Sequence, residues 1–334
     1  TITVTASAND VTMVDGTVYT AGGGLVTVTA ADEVLLSKVT NPLGAVTITA
    51  TAGDISDETA AEGTSNENIS GTTVTLSSAT GIGASGAAND IDTAATTLAS
   101  SVTGTGGIYI AETDGVALGT TSTSNGAIEL SSGGAVTTSG DITAAGGSFS
   151  ITGVGITNSN TITGDANGIT LDAGTGTLTN SAGTISNGST SGPINLLADT
   201  DIVLAGGTVT GGSGIVTLKD SGDAATVALE GGTGTIQIAD ADLDIISTTG
   251  SITIGDSATG AIEVGGALTL GTKKLTLVSS AGITLSNTIA SGAVTITNAG
   301  TLTVAAGGDL SLSDFFTQNG AGTVSTAGDI TTTS

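Results

Sequence analysis

One short phrase recurs along this chain and restricts its fold more than any other feature. It occurs three times between Gly292 and Leu312, as Gly292-Ala293-Val294-Thr295-Ile296, Gly300-Thr301-Leu302-Thr303-Val304 and Gly308-Asp309-Leu310-Ser311-Leu312. Each copy is a glycine, a small or polar residue, then apolar, Thr or Ser, apolar. Successive copies begin eight residues apart. Strict alternation means a strand with one buried face, and the glycines between copies are turn punctuation. Runs this short cannot bury enough surface as independent hairpins. Many small strands joined by glycine turns are stable when each turn of chain stacks on the one before, which is a solenoid.

The phrase recurs along most of the chain. Leu25–Thr29 and Ala45–Thr49 alternate well, with Gly22-Gly23-Gly24 and Asn41-Pro42-Leu43-Gly44 read as turns. Residues 53–71 break the rhythm with Asp54, Asp57, Glu58, Glu62 and Glu67, and are expected to form an acidic loop leaving the solenoid. Residues 78–107 are rich in Ala, Gly and Ser, with weak strands near Ile91 and Leu98, and are expected to be less regular. From residue 108 the rhythm is steady, and it is most regular in the last third, for example Ile252-Thr253-Ile254 and Leu275-Thr276-Leu277. The fold class that follows is all-β: a single elongated right-handed parallel β-helix, or β-solenoid, over residues 1–334 as one continuous domain. Two or three phrases make a coil, giving roughly 20 residues per coil and roughly 17 coils. At about 4.8 Å per stacked strand that is a rod of roughly 80 Å. Right-handedness follows from the strong preference of parallel crossovers. Both termini fall on the phrase, so the end coils are expected to meet a neighbour.

Composition supports this reading. Of 334 residues, 54 are Gly and 66 are Thr, with no Cys, Trp or His. Aromatic residues are 1 %, which excludes a core built on large rings, yet 38 % are hydrophobic, nearly all of them aliphatic. That abundance and periodicity argue against disorder. Thr is β-branched, suits an extended backbone and remains soluble on the outer face.

Charge narrows the partners. Thirty acidic residues face four lysines (Lys38, Lys219, Lys273 and Lys274) for a net charge of −26. Nucleic-acid binding needs cations to neutralise phosphates and is excluded. Docking on an anionic membrane is disfavoured for the same reason, and no window is long and apolar enough to span one. Cations, Ca²⁺ above all, are the electrostatic partners the composition admits, although negative charge also simply keeps rods apart.

The run Phe315-Phe316-Thr317-Gln318-Asn319-Gly320-Ala321-Gly322-Thr323-Val324-Ser325-Thr326-Ala327-Gly328-Asp329-Ile330-Thr331 resembles the repeats of giant bacterial β-strand-repeat surface proteins. Gly140-Asp141-Ile142-Thr143 and Asn160-Thr161-Ile162-Thr163-Gly164 resemble the phrases of filamentous-haemagglutinin-type adhesins. The resemblance covers residues 108–334 well and 1–107 loosely. It implies a secreted parallel β-helix on the bacterial cell surface, serving as an adhesin stalk, fibre or envelope filament.

Three kinds of site compete with a purely structural role. Catalysis lacks the usual partners, since there is no His, Cys or Arg. A carboxylate pair could hydrolyse a polysaccharide, but the aromatic residues (Tyr19, Tyr109, Phe149, Phe315, Phe316) are scattered. The expectation is no enzyme and no organic cofactor. For metal, Asp240, Asp242 and Asp244 in Ile238-Ala239-Asp240-Ala241-Asp242-Leu243-Asp244-Ile245 would project from one face of a strand and could share a Ca²⁺. Asp199 with Asp201 and Asp220 with Asp223 are weaker candidates. For a binding face, outward Thr-x-Thr pairs at Thr27/Thr29, Thr47/Thr49, Thr295/Thr297 and Thr301/Thr303 could meet ice or glycan, but the uneven spacing of the phrases argues against one flat array. The function expected is a non-catalytic structural segment of an extracellular filament or adhesin stalk, partnered end to end by other copies or adjoining solenoid segments. The alternative is a binding module that grips cell-surface glycan, ice or Ca²⁺-bridged contacts through a Thr- and Asp-lined face.

Overall fold

A computed structural model describes residues 1–59, 67–188, 190–222 and 224–333. The chain is almost entirely parallel β-strand, wound as a β-solenoid of about 15 coils at about 22 residues each. It divides into two compact units, Thr1–Asn167 and Gly168–Ser334.

In the first unit, one wall stacks the strands Ile2–Ala6, Val26–Ala30, Lys38–Ala50, Ile69–Ser78 and Ile91–Val102 in parallel. The ladder brings like residues together. Ile2, Val26, Val46, Val74, Leu98 and Leu118 form one column, in which Val26, Val46, Val74 and Leu98 are fully buried. On a second wall Val34, Ile55, Ile82, Ile108, Ile128 and Phe149 form another, also buried. Because side chains alternate across a strand, the inward register of one coil dictates that of the next. Within these two columns each inner Val, Leu or Ile therefore meets an apolar side chain above and below, and burying a Leu or Ile contributes roughly 2 kcal/mol.

The second unit repeats the plan with three walls. Ile194, Val216, Ile252, Leu275 and Val294 stack on the first. Val227, Ile262, Ile283 and Leu302 stack on the second. Leu268, Ile289 and Leu310 stack on the third. Ile296 is fully buried between Leu277 and Gln318, as its phrase requires.

Coil length varies where the turns do. Val26 pairs with Val46, 20 residues on, but Val46 pairs with Val74, 28 residues on. Val216 pairs with Ile252, 36 residues on, because the strands Val227–Leu229 and Ile236–Ile238 and one helical turn fill the interval. These long coils raise the mean above the expected 20.

Three expectations change in detail. The break expected over 53–71 is narrower: Asp54–Asp57 is a strand with Ile55 fully buried, and Ile69 begins the next. Residues 60–66, Glu62 among them, lie outside the described residues. Within 78–107, Ile91–Val102 is a strand of 12 residues. It takes in the weak strands expected near Ile91 and Leu98, and because its inward positions include Thr93, Ala95 and Ser100, all buried, the hydropathy alternation there is faint. At Asn41–Gly44 the strand Lys38–Ala50 bends rather than ends, with its register shifting between Asn41 and Ala45. The Asn41 amide holds that corner, donating to Gly24 O at 2.6 Å and Ala45 O at 2.9 Å and accepting from Gly23 N at 3.1 Å.

Glycine serves these corners in a way beyond turning at positive φ. A Cβ at Gly106 would stand 1.5 Å from Thr80 O. In the second unit, a Cβ at Gly322 would stand 1.6 Å from Gly300 O. The stacked backbones approach too closely there for any side chain.

Candidate functional site

The aspartates singled out for metal binding sit on a helical turn, Asp240–Asp244, and not on a strand. The Asp-Ala-Asp-Leu-Asp alternation reads as period two, but the segment buries Leu243 and Asp242 and leaves Asp240 and Asp244 outside. A turn of helix swings Asp242 to the opposite side from Asp240 and Asp244, which as an i, i+4 pair share a face. Each has its own task. Asp242, 5 % exposed, accepts from Leu204 N (2.6 Å) and Ala205 N (2.7 Å) through Oδ1 and from Ala239 N (2.9 Å) through Oδ2. It thereby closes the first turn and pins it to the neighbouring coil. Asp240 accepts from Thr269 N at 2.9 Å. Asp244 lies 3.9 Å from the ammonium of Lys273, which donates to the carbonyls of Leu243 (2.9 Å) and Asp244 (2.7 Å).

The weaker pairs behave alike. Asp199 accepts from Ser221 N and Gly222 N, and Asp201 from Ile202 N and Gln237 N. Asp220 is buried and receives the Thr259 hydroxyl at 2.6 Å. Its expected partner, Asp223, lies outside the described residues. Among the described residues no three carboxylates gather around a common point suited to a metal ion. Their common use is to satisfy backbone N–H groups at corners, where the sheet ladder supplies no acceptor.

The outward threonines do fall into register. In the first unit Thr3, Thr27, Thr47 and Thr75 form one column, and Thr5, Thr29, Thr49 and Ser77 form the next. The second column continues through Ser101, Ser122, Thr143 and Thr163. The uneven spacing of the phrases is absorbed by the turns, not by the ladder. In the second unit Thr253, Thr276, Thr295 and Thr317 are aligned, whereas the partners of Thr297 are Val278 and Asn319. Thr303 stacks on Thr284, and the hydroxyls of Thr301 and Thr323 lie 3.0 Å apart.

Two features of the first unit carry no signal in the sequence. The first is Glu112, at an inward position of the strand Ile108–Glu112 and 3 % exposed. Its column runs Val39, Ile69, Thr93, Glu112, Ser132, so aliphatic residues give way to polar ones inside the coil. Oε2 takes the Thr93 hydroxyl at 2.6 Å, and Ala95 N reaches both oxygens, at 3.0 and 3.1 Å. Burial outweighs these bonds and pushes its pKa from 4.5 up to about 7.

The second is a cavity of about 260 Å³ on the flank of the same coils. Gly86, Ala87 and Asp90 of the 83–90 turn form one side. Tyr109, Ile110 and Ala111 also line it, with Glu129 and Ser131 of the following coil. Asp90 is half-buried, and its Oδ1 is buried with no hydrogen-bond partner among the described residues. Burial, then the charges of Asp92, Asp57 and Glu129, hold its carboxyl above the usual range. Of the aromatic residues weighed earlier, Tyr109 lines this cavity and Phe149 fills the core.

No protein family, curated protein or solved structure matches the chain.

Proposed function

We propose that the chain is a non-catalytic structural segment of an extracellular bacterial filament or adhesin stalk. One observation carries this reading: within each unit, parallel ladders run from coil to coil with like residues in register over aliphatic columns. Such a ladder resists extension along the stacking direction, because every coil is held by a row of backbone hydrogen bonds. The deeply buried carboxylates Asp242, Asp220 and Glu112 are spent on hydroxyls and backbone N–H groups of neighbouring turns, a use that stiffens the coil. The dense negative charge of the surface keeps parallel rods apart.

The same reading includes end-to-end partners, either further copies or adjoining solenoid segments. Electron microscopy of native material is the test. Filaments with an axial repeat of about 4.8 Å are the expected result, and discrete particles that do not associate at any concentration would remove the end-to-end part of the reading.

A further inference from the structure

We propose that Asn125 is a site of spontaneous deamidation, in which the peptide nitrogen of Gly126 displaces the side-chain amide. The site lies on a corner of the first unit and does not depend on the stalk reading.

Asn-Gly occurs four times, at Asn125, Asn167, Asn187 and Asn319, and a glycine after asparagine leaves the peptide nitrogen unhindered. The fold treats these asparagines differently. Asn187 is fully buried and its amide donates to Gly192 O, while Gly188 N donates to the Ser186 hydroxyl at 3.0 Å. Amide and nucleophile are both held there. Asn167 donates through Nδ2 to Asp165 Oδ1 at 3.0 Å. Asn125 is exposed, and no hydrogen bond ties its amide among the described residues. The ladder is also interrupted at this corner. Gly126 pairs with Gly146, but the register shifts between Thr123 and Gly126 and again between Gly126 and Ile128. Asn125 therefore joins a free amide to a backbone outside the regular ladder, the two conditions that let the side-chain carbon reach the next nitrogen.

Water is the only other reactant. The Gly126 nitrogen gives up its proton to hydroxide and bonds to Cγ of Asn125. The Cγ–Nδ2 bond breaks, Nδ2 takes a proton from water and leaves as ammonia, and a succinimide ring remains. Water then opens the ring. Breaking the bond from the Gly126 nitrogen to Cγ gives aspartate, and breaking the bond from that nitrogen to the main-chain carbonyl carbon gives isoaspartate, whose backbone is longer by a carbon. Either product puts a carboxylate against Gly146, whose N–H Asp165 already holds at 2.6 Å. Isoaspartate is the more disruptive, because a Cβ at Gly126 would stand 2.0 Å from Gly106 O and the corner has no room for added backbone.

Ageing the intact chain in mildly alkaline buffer, followed by peptide mapping in a mass spectrometer, tests the proposal through the mass change from amide to acid. Conversion at Asn125 is expected to be roughly tenfold faster than at Asn187, where a buried hydrogen bond must open first. Its rate is expected to rise with pH, because the attacking nitrogen must lose its proton. The same chain aged in urea is expected to lose the difference between the two sites, since unfolding frees Asn187. Conversion at Asn125 no faster than at Asn187 in the folded chain would overturn the proposal. A gap of the same size in urea would also overturn it, by tracing the difference to local sequence and not to the fold. A rate at Asn125 independent of pH would remove the attack by Gly126.

Discussion

Glu112 is the residue at which the physical chemistry of this solenoid is most exposed to test. Its carboxyl is buried among Thr93, Ala95 and the wall of the coil, and the titratable group beside it, Asp114, is acidic and adds to the penalty of ionising. The folded carboxyl holds its proton up to about pH 7, whereas the unfolded chain releases it near 4.5. Between those values the folded state binds more protons, so stability from this group is complete below about 4.5, falls as pH rises, and is flat above about 7. Thermal or urea unfolding between pH 5 and pH 8 is therefore expected to show a decline that E112Q removes. The difference between the two proteins is on the order of 3 kcal/mol across that range, since each pKa unit corresponds to about 1.4 kcal/mol. An identical decline in E112Q would mean that the slope comes from the other carboxylates. Nothing in Ile-Ala-Glu-Thr marked this glutamate in the sequence, because an outward glutamate occupies the same kind of alternating run one coil later, at Glu129. Which of the two points inward depends on the register of the coil, and register is a tertiary property.

At the scale of elements, the helical turn Asp240–Asp244 shows how an insertion is fastened to a solenoid. Val216 and Ile252 are partners across 36 residues, and the interval has to return the chain to the ladder in register. Asp242 does this by accepting three backbone N–H groups, two of them from the turn at Leu204 and Ala205. D242A leaves those donors buried and unpaired, and the expected loss is about 3 kcal/mol in urea unfolding. D242N keeps one carbonyl acceptor and should recover part of the loss. A D242A protein as stable as the parent would show that water replaces the carboxylate. The sequence suggested a strand here because Asp and Ala alternate, but alternation of polar with small residues does not specify a period when Ala suits both environments. Leu243, fully buried, faces inward in either reading; Asp242, 5 % exposed, is the residue out of phase with a strand that faces all three aspartates outward.

For the molecule as a whole, charge is the dominant unbalanced term. A net charge of −26 is carried by 334 residues, and the ion pairs Lys219–Asp256 and Lys273–Asp244 neutralise little of it. Like charges on stacked coils repel through solvent and are screened over about 8 Å at physiological salt. Raising NaCl from low ionic strength to about 0.15 M is thus expected to raise the melting temperature by a few degrees, with about 1 kcal/mol corresponding to 2–4 °C for units of this size. A melting temperature independent of salt would mean that the charges are already spaced beyond mutual reach. The repeated phrase by itself determined the fold class, the inward aliphatic positions and the outward threonines, because period-two alternation admits one partition of side chains between core and solvent. Only the tertiary structure decided which phrases stack on which. That pairing aligns Thr3/Thr5, Thr27/Thr29 and Thr47/Thr49 despite unequal spacing, turns Asp242 and Glu112 inward, and brings Asp90, Tyr109 and Glu129 from three stretches of chain around one cavity. The physical reason is that a parallel ladder is fixed by hydrogen bonds between residues about 20 to 36 positions apart, and the turns that set those intervals leave no periodic trace in the chain.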